Sequence, residues 1–226
     1  MSGSIFRLLA VAVLLPLGAA GQGAKKAVPE PDTVRIRKFS GIRFGMETIG
    51  FIKSMTGTKF TGNEFMADTD IGRYYLVTEF GNWSRNLPIT DGTYSNDGRY
   101  IRVGVDVNFL KKDPDRNMFF LGARYGRSFY NEQVTYLSKT EYGDREITAV
   151  NDGIRSGWVE LTTGIRVKVW KFFWMGYTAR MKFAPGTPKD SPLAPYDIPG
   201  YGLTFKKPWW GFSYYLMMRI PFGKDR

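Results

Sequence analysis

The chain has 226 residues, a formal net charge of +11, no cysteine and no histidine. That length suits one domain with a full core. The missing Cys excludes disulfides, thiolate metal sites and a lipoprotein anchor, and the missing His removes serine–histidine triads, imidazole metal sites and the usual neutral-pH general base.

Residues 1–21 read as a secretory signal peptide. Arg7 supplies a minimal positive start, residues 8–15 (LLAVAVLL) an apolar stretch, and Ala19, Ala20 and Gly21 the small residues of a cleavage site. The mature chain is expected to begin at Gln22. The alternative, an uncleaved anchor, meets an apolar run shorter than the ~20 residues a membrane helix needs. No later stretch approaches about 18 continuous apolar residues, so the remainder is either soluble or embedded by strands. Residues 22–40 carry Pro29, Pro31, Lys25, Lys26, Arg35, Arg37 and Lys38 and read as a flexible basic periplasmic tail, either a spacer or a docking peptide.

From Gly41 onward the hydrophobic period is two, which marks strands. In chain order, Ile42, Phe44, Met46 and Thr48 oppose Arg43, Gly45 and Glu47. Phe65, Ala67 and Thr69 oppose Glu64, Met66 and Asp68, the weakest of the segments. Tyr74, Leu76, Thr78 and Phe80 oppose Arg73, Tyr75, Val77 and Glu79. Ile101, Val103, Val105, Val107 and Phe109 oppose Arg102, Gly104, Asp106 and Asn108. Leu121, Ala123, Tyr125 and Phe129 oppose Gly122, Arg124, Gly126 and Ser128. Val159, Leu161, Thr163, Ile165, Val167 and Val169 oppose Glu160, Thr162, Gly164, Arg166 and Lys168. Met175, Tyr177, Ala179, Met181 and Phe183 oppose Gly176, Thr178, Arg180 and Lys182. Phe212, Tyr214, Leu216, Met218, Ile220 and Phe222 oppose Gly211, Ser213, Tyr215, Met217 and Arg219. Eight such segments predict an all-β chain, with residues 41–226 forming an eight-stranded antiparallel transmembrane β-barrel.

The links at Gly72, at residues 111–116 and at residues 170–172 are short, whereas those at 56–63, 84–97, 138–156 and 184–208 are longer. Short periplasmic turns and longer extracellular loops are the outer-membrane pattern, with both chain ends on the periplasmic side. The last of these loops holds Pro185, Pro188, Pro192, Pro195 and Pro199, whose fixed φ values favour a stiff presented surface.

Alternation alone does not say which face meets lipid, and a soluble lipocalin-like barrel also has eight strands. Three features favour the membrane. Glycines recur on the polar face, as a narrow lumen requires. Arginines there are interspersed with carboxylates, which suits enclosed bidentate pairing. Phe109, Trp158, Trp170, Trp174, Trp209, Trp210 and Phe222 stand where apolar columns end, the expected place of interfacial aromatics. The candidate lumen network is Arg43, Glu47, Asp68, Glu79, Arg102, Asp106, Arg124, Glu160, Arg166, Arg180 and Arg219. Such charges either line an ion path or plug the lumen by mutual pairing, and the width of eight strands favours the plug.

The final segment, with Gly211, Ile220 and Phe222, resembles the C-terminal insertion signal of outer-membrane proteins, although four residues follow the aromatic. The stretches Gly41-Ile42-Arg43-Phe44-Gly45, Tyr100-Ile101-Arg102-Val103-Gly104-Val105-Asp106, Met118-Phe119-Phe120-Leu121-Gly122-Ala123-Arg124-Tyr125-Gly126 and Ile198-Pro199-Gly200-Tyr201-Gly202 resemble an uncharacterised family of small outer-membrane β-barrels from Bacteroidota. The resemblance implies a part in envelope assembly or export machinery and brings no catalytic or ligand residues with it. No phosphate loop, metal-ligand cluster or nucleic-acid module is legible. The expectation is a non-enzymatic outer-membrane protein without a cofactor, in contact with lipid and with subunits of an envelope complex and not with nucleic acid. A basic periplasmic rim is expected from the tail with Lys111, Lys112, Arg116 and Lys224. The alternatives are a small pore or transporter, and a membrane-embedded hydrolase or acyltransferase lacking its histidine.

Overall fold

The structure, a computed structural model, describes residues 39–56, 59–110, 113–141, 143–186, 193–205 and 209–222. The expected signal peptide and most of the basic tail, as well as Lys111, Lys112, Pro188, Pro192 and Lys224, lie outside the described residues.

Each of the eight alternating segments forms a strand, in the expected order. They are β1 (Gly41–Glu47), β2 (Phe60–Ile71), β3 (Tyr74–Ile89), β4 (Gly92–Asn108), β5 (Met118–Thr140), β6 (Gly143–Trp170) and β7 (Phe173–Gly186), followed after a two-stranded hairpin by β10 (Trp209–Pro221). All neighbours are antiparallel, and the sheet closes into a barrel in the order β1-β10-β7-β6-β5-β4-β3-β2. The seam is the β1–β10 pair, which runs from Gly41 opposite Pro221 to Glu47 opposite Tyr215. Tight turns join β2 to β3, where Gly72 adopts φ 71°, and β6 to β7, where Lys171 adopts φ 40°. A Cβ at Gly72 meets the steric cost of the left-handed region, which glycine avoids.

The two faces of the wall separate cleanly. Along β4, Ile101, Val103 and Val105 are exposed while Arg102 and Asp106 are buried; along β5, Phe119, Leu121 and Tyr125 are exposed while Phe120 and Arg124 are buried. The apolar side therefore points outward and the charged side inward, the reverse of a lipocalin-like soluble barrel. Small residues make the interior possible. A Cβ on Gly126 would run into the Trp158 ring, and one on Gly122 into Asp106 Oδ1.

Four expectations are corrected. Residues 84–97 and 138–156 are not loops: they are largely strand, with Leu87 opposite Tyr94 and Leu137 opposite Glu146. These stretches rise beyond the apolar band, so their outer side is polar and the alternation used to find strands fades while backbone pairing continues. Second, β2 begins at Phe60 and is a full 12-residue strand. Third, the chain between β1 and β2 contains a helix, α1 (Thr48–Met55), in place of a strand end and a loop. Glu47 caps it by accepting from the amides of Ile49 (3.0 Å) and Gly50 (2.5 Å), which satisfies donors a helix start leaves orphaned. Finally, the stretch after β7 is not simply a presented surface. Its described part, residues 193–205, carries the short hairpin β8 (Asp197–Ile198) and β9 (Gly202–Leu203), and Asp197, Ile198, Gly200 and Tyr201 are buried.

Candidate functional site in the lumen and its mouth

Near the short-turn end the lumen is packed with Met66, Tyr75, Val77, Met118, Phe120, Trp174, Tyr215 and Met217. The Arg43 guanidinium lies over the rings of Tyr75 (4.7 Å) and Trp174 (5.1 Å), a favourable use of the aromatic faces.

A continuous ladder of ion pairs climbs from there. Asp68 joins Arg43 (2.8 Å) to Arg166 (2.5 Å), and Asp106 joins Arg166 (2.8 Å) to Arg124 (3.0 Å). Arg124 pairs with Glu79, whose other oxygen accepts from Arg102 (2.7 Å) and Arg180 (2.8 Å). Glu160 lies between Arg102 (3.1 Å) and Arg180 (3.3 Å) and accepts from the indole N–H of Trp158 at 2.6 Å. Glu64 ends the ladder, accepting from Arg102 (2.9 Å), the Tyr100 hydroxyl (2.5 Å) and the Tyr215 hydroxyl. Removing so many charges from water is costly, and only this degree of mutual pairing offsets it.

The hairpin β8–β9 closes the ladder from above. Arg102 donates to the Gly200 carbonyl at 2.9 Å, and Lys182 donates to the carbonyls of Gly200 (2.6 Å) and Tyr201 (3.0 Å). Arg85 pairs with Asp197 at 3.0 Å, and Asn96 donates to the Asp197 carbonyl at 2.7 Å. Asn151 clasps Leu193 through both backbone groups, at 2.8 and 3.1 Å, and also donates to Glu132. Beneath this segment Tyr100, Tyr130, Ile154, Trp158, Ile198 and Tyr201 form a second apolar cluster. Burial pushes the Asp197 carboxyl above its ordinary value, against the pull of Arg85.

Nine of the eleven expected network residues meet in this ladder: Arg43, Asp68, Glu79, Arg102, Asp106, Arg124, Glu160, Arg166 and Arg180. Two do not. Glu47 is spent on capping α1, because the chain turns out of the strand at that residue. Arg219 stands at the short-turn end and donates to the carbonyl and hydroxyl of Ser40, both at 3.0 Å. Glu64, Lys182, Tyr100, Tyr215 and Trp158 also belong to the interior, outside the expected network. Trp158 and Trp174 point into the lumen and not to an interface, whereas Trp170, Trp210, Phe109 and Phe222 are exposed. In the final strand Gly211 faces Arg180 and Lys182, and Ile220 and Phe222 face outward. Of the expected basic rim, Arg116 is described, and it donates to the Ser40 hydroxyl.

Not all of the interior is filled. A cavity of about 520 Å³ opens at the mouth between α1, the upper ends of β2 and β3, and β10, with Glu64, Tyr100, Arg102, Arg180 and Lys182 at its inner side. Phe60, Trp83, Trp209, Trp210 and Phe212 line its walls, and Lys53, Lys59 and Arg85 border it.

One family model, described as a domain of unknown function (DUF6048), matches residues 2–225. The chain belongs to the DUF6048 family. No curated protein and no solved structure matches it. Family membership thus assigns no activity, and the reading of this DUF6048 protein rests on the barrel itself. Among the described residues no group of three or more acidic side chains is arranged to hold a metal ion.

Proposed function

We propose that this chain is an exported, non-enzymatic outer-membrane β-barrel, closed to conduction, that serves as a structural or accessory subunit of an envelope assembly or export complex. The observation that carries the membrane reading is the inverted wall, with Phe44, Leu76, Ile101, Val103, Leu121, Leu161, Ile165 and Leu216 outward and the Arg–carboxylate ladder inward. A belt of that size exposed to water is unfavourable at roughly 25 cal/mol for each Å², and lipid removes the penalty. Short turns at one end and tall hairpins at the other fit the outer-membrane orientation, with both ends of the barrel on the periplasmic side.

The closed lumen supports an accessory role over a pore. Two apolar clusters and the ladder occupy the width of the barrel, and residues 193–205 cap it. Working surfaces are then the rims and the hairpins, where Ile89, Tyr136, Leu137 and Val150 stay exposed above the band. The mature chain should float with lipid vesicles, migrate differently on a denaturing gel before and after boiling, and give no steady single-channel current. A freely soluble folded chain sinks the membrane reading. A strictly monomeric barrel that co-purifies with nothing after mild detergent extraction counts against the accessory role.

A further inference from the structure

The barrel wall is incomplete beside the mouth cavity. Strand β1 ends at Glu47, opposite Tyr215, while β10 continues to Trp209 and β2 continues to Phe60. Helix α1 occupies the gap. It is pinned to β2 through Ser54, which accepts from the Gly62 amide at 2.9 Å, and Gly50 approaches so closely that a Cβ there would stand 3.0 Å from the Gly62 carbonyl oxygen. Its start is bonded to β10: Thr48 donates to the Tyr214 carbonyl at 3.0 Å, and the Tyr214 amide donates to the cap residue Glu47 at 3.4 Å. Further along, α1 leans on β2, and residues 209–213 of β10 line the cavity instead. Phe51, Ile52 and Met55 are exposed on the helix, continuing the apolar outer wall across the gap.

The charge inside the gap is unbalanced. Lys182 is buried, donates to two neutral carbonyls and has no carboxylate within ion-pair distance among the described residues. Glu160 attracts it from further away, but that carboxylate already serves Trp158, Arg102 and Arg180. Of the acids lining the cavity, Glu47 is engaged by the α1 amides and Glu64 by Tyr100, Tyr215 and Arg102. Lys59 adds positive charge at the entrance, where Arg85 is already paired with Asp197. A buried ammonium without a counter-ion is costly and is relieved by an anion.

We propose that the cleft binds one lipid of net negative charge, its phosphate headgroup without a cationic substituent, from the surrounding leaflet. Its headgroup sits against Lys182, and its acyl chains leave the barrel sideways past Phe60, Trp210 and Phe212. The inference rests on the membrane reading above. About 520 Å³ is within the range of small-ligand pockets and houses a headgroup, while the chains need the lateral opening. The aromatic walls and the apolar outer face of α1 favour a lipid over a free ion.

The test is native mass spectrometry of the refolded barrel released from nanodiscs of phosphatidylcholine containing a minor share of phosphatidic acid. One retained phosphatidic acid per barrel is expected. Lys182→Gln should lower retention roughly tenfold, the loss of one charge-assisted hydrogen bond in a buried site. Because Lys182 also holds the Gly200 and Tyr201 carbonyls, Lys59→Ala at the exposed entrance is the second variant, and a few-fold loss is expected from it. Equal retention of phosphatidylcholine overturns the proposal. So does displacement by inorganic phosphate at the affinity of the lipid, which makes the ligand a free ion. A barrel that floats with vesicles and retains no phosphatidic acid refutes the site alone, whereas a chain that fails to float refutes the membrane reading.

Discussion

In the middle of the lumen each carboxylate is shared: Asp68 between Arg43 and Arg166, Asp106 between Arg166 and Arg124, and Glu79 among Arg124, Arg102 and Arg180. At the mouth Lys182 is also buried, yet among the described residues its ammonium donates to backbone carbonyls alone and faces an open cavity. The two regions use the same residue types on the same inward face. The first pairs its own charges and so fills and braces the barrel; the second leaves charge and volume for something else. Interior charge in a narrow barrel is therefore not one signal but two, told apart by whether each ion finds its counter-ion.

The largest expected effect comes from the charge-paired region. Glu79→Ala takes one carboxylate partner from each of three buried guanidinium groups and should destabilise the folded barrel by about 3–5 kcal/mol, the usual cost of breaking a buried pair from one side. A urea titration read by gel mobility checks it, and an unchanged midpoint would dissolve the distinction. Next is packing around the ladder. Gly126→Ala drives a methyl into the Trp158 ring and should cost roughly 1–3 kcal/mol by overpacking, measured in the same titration.

Smaller effects belong to the mouth. Asn151→Ala removes both bonds to Leu193. Each hydrogen bond contributes roughly 0.5–1.5 kcal/mol, so protease cutting within residues 193–205 should rise while the global midpoint barely moves. The pH response is the smallest. The raised Asp197 carboxyl is protonated more readily in the docked loop than in a released one. Docking should therefore be strongest below the ordinary carboxylate value and weaken as pH rises through the raised one. Loop signals in nuclear magnetic resonance spectra against pH report this, and a loop that loosens on acidification contradicts it.

Much of the ladder was legible because period-two parity assigns an inward or outward side to every strand residue. The same parity places Trp158 inward, next to outward Val159, against the interfacial habit of tryptophans at the ends of apolar columns. Glu64 and Lys182 stood on the polar face, but their importance depends on partners brought from other strands: Tyr215 is 151 positions from Glu64. Helix α1 was invisible because eight residues give barely two turns of helical period. Glu47 marks the point where strand parity stops, and Arg219 lies where the lumen ends.

Insertion of the inverted wall in lipid would set Trp210 against acyl chains and keep Trp158 away from them. Single-tryptophan proteins retaining either Trp210, which is exposed, or Trp158, which is buried, can be refolded into vesicles containing brominated phospholipid. Strong quenching of Trp210 and almost none of Trp158 is expected. Equal quenching of the two, or none of Trp210 in a barrel that floats with the vesicles, contradicts it.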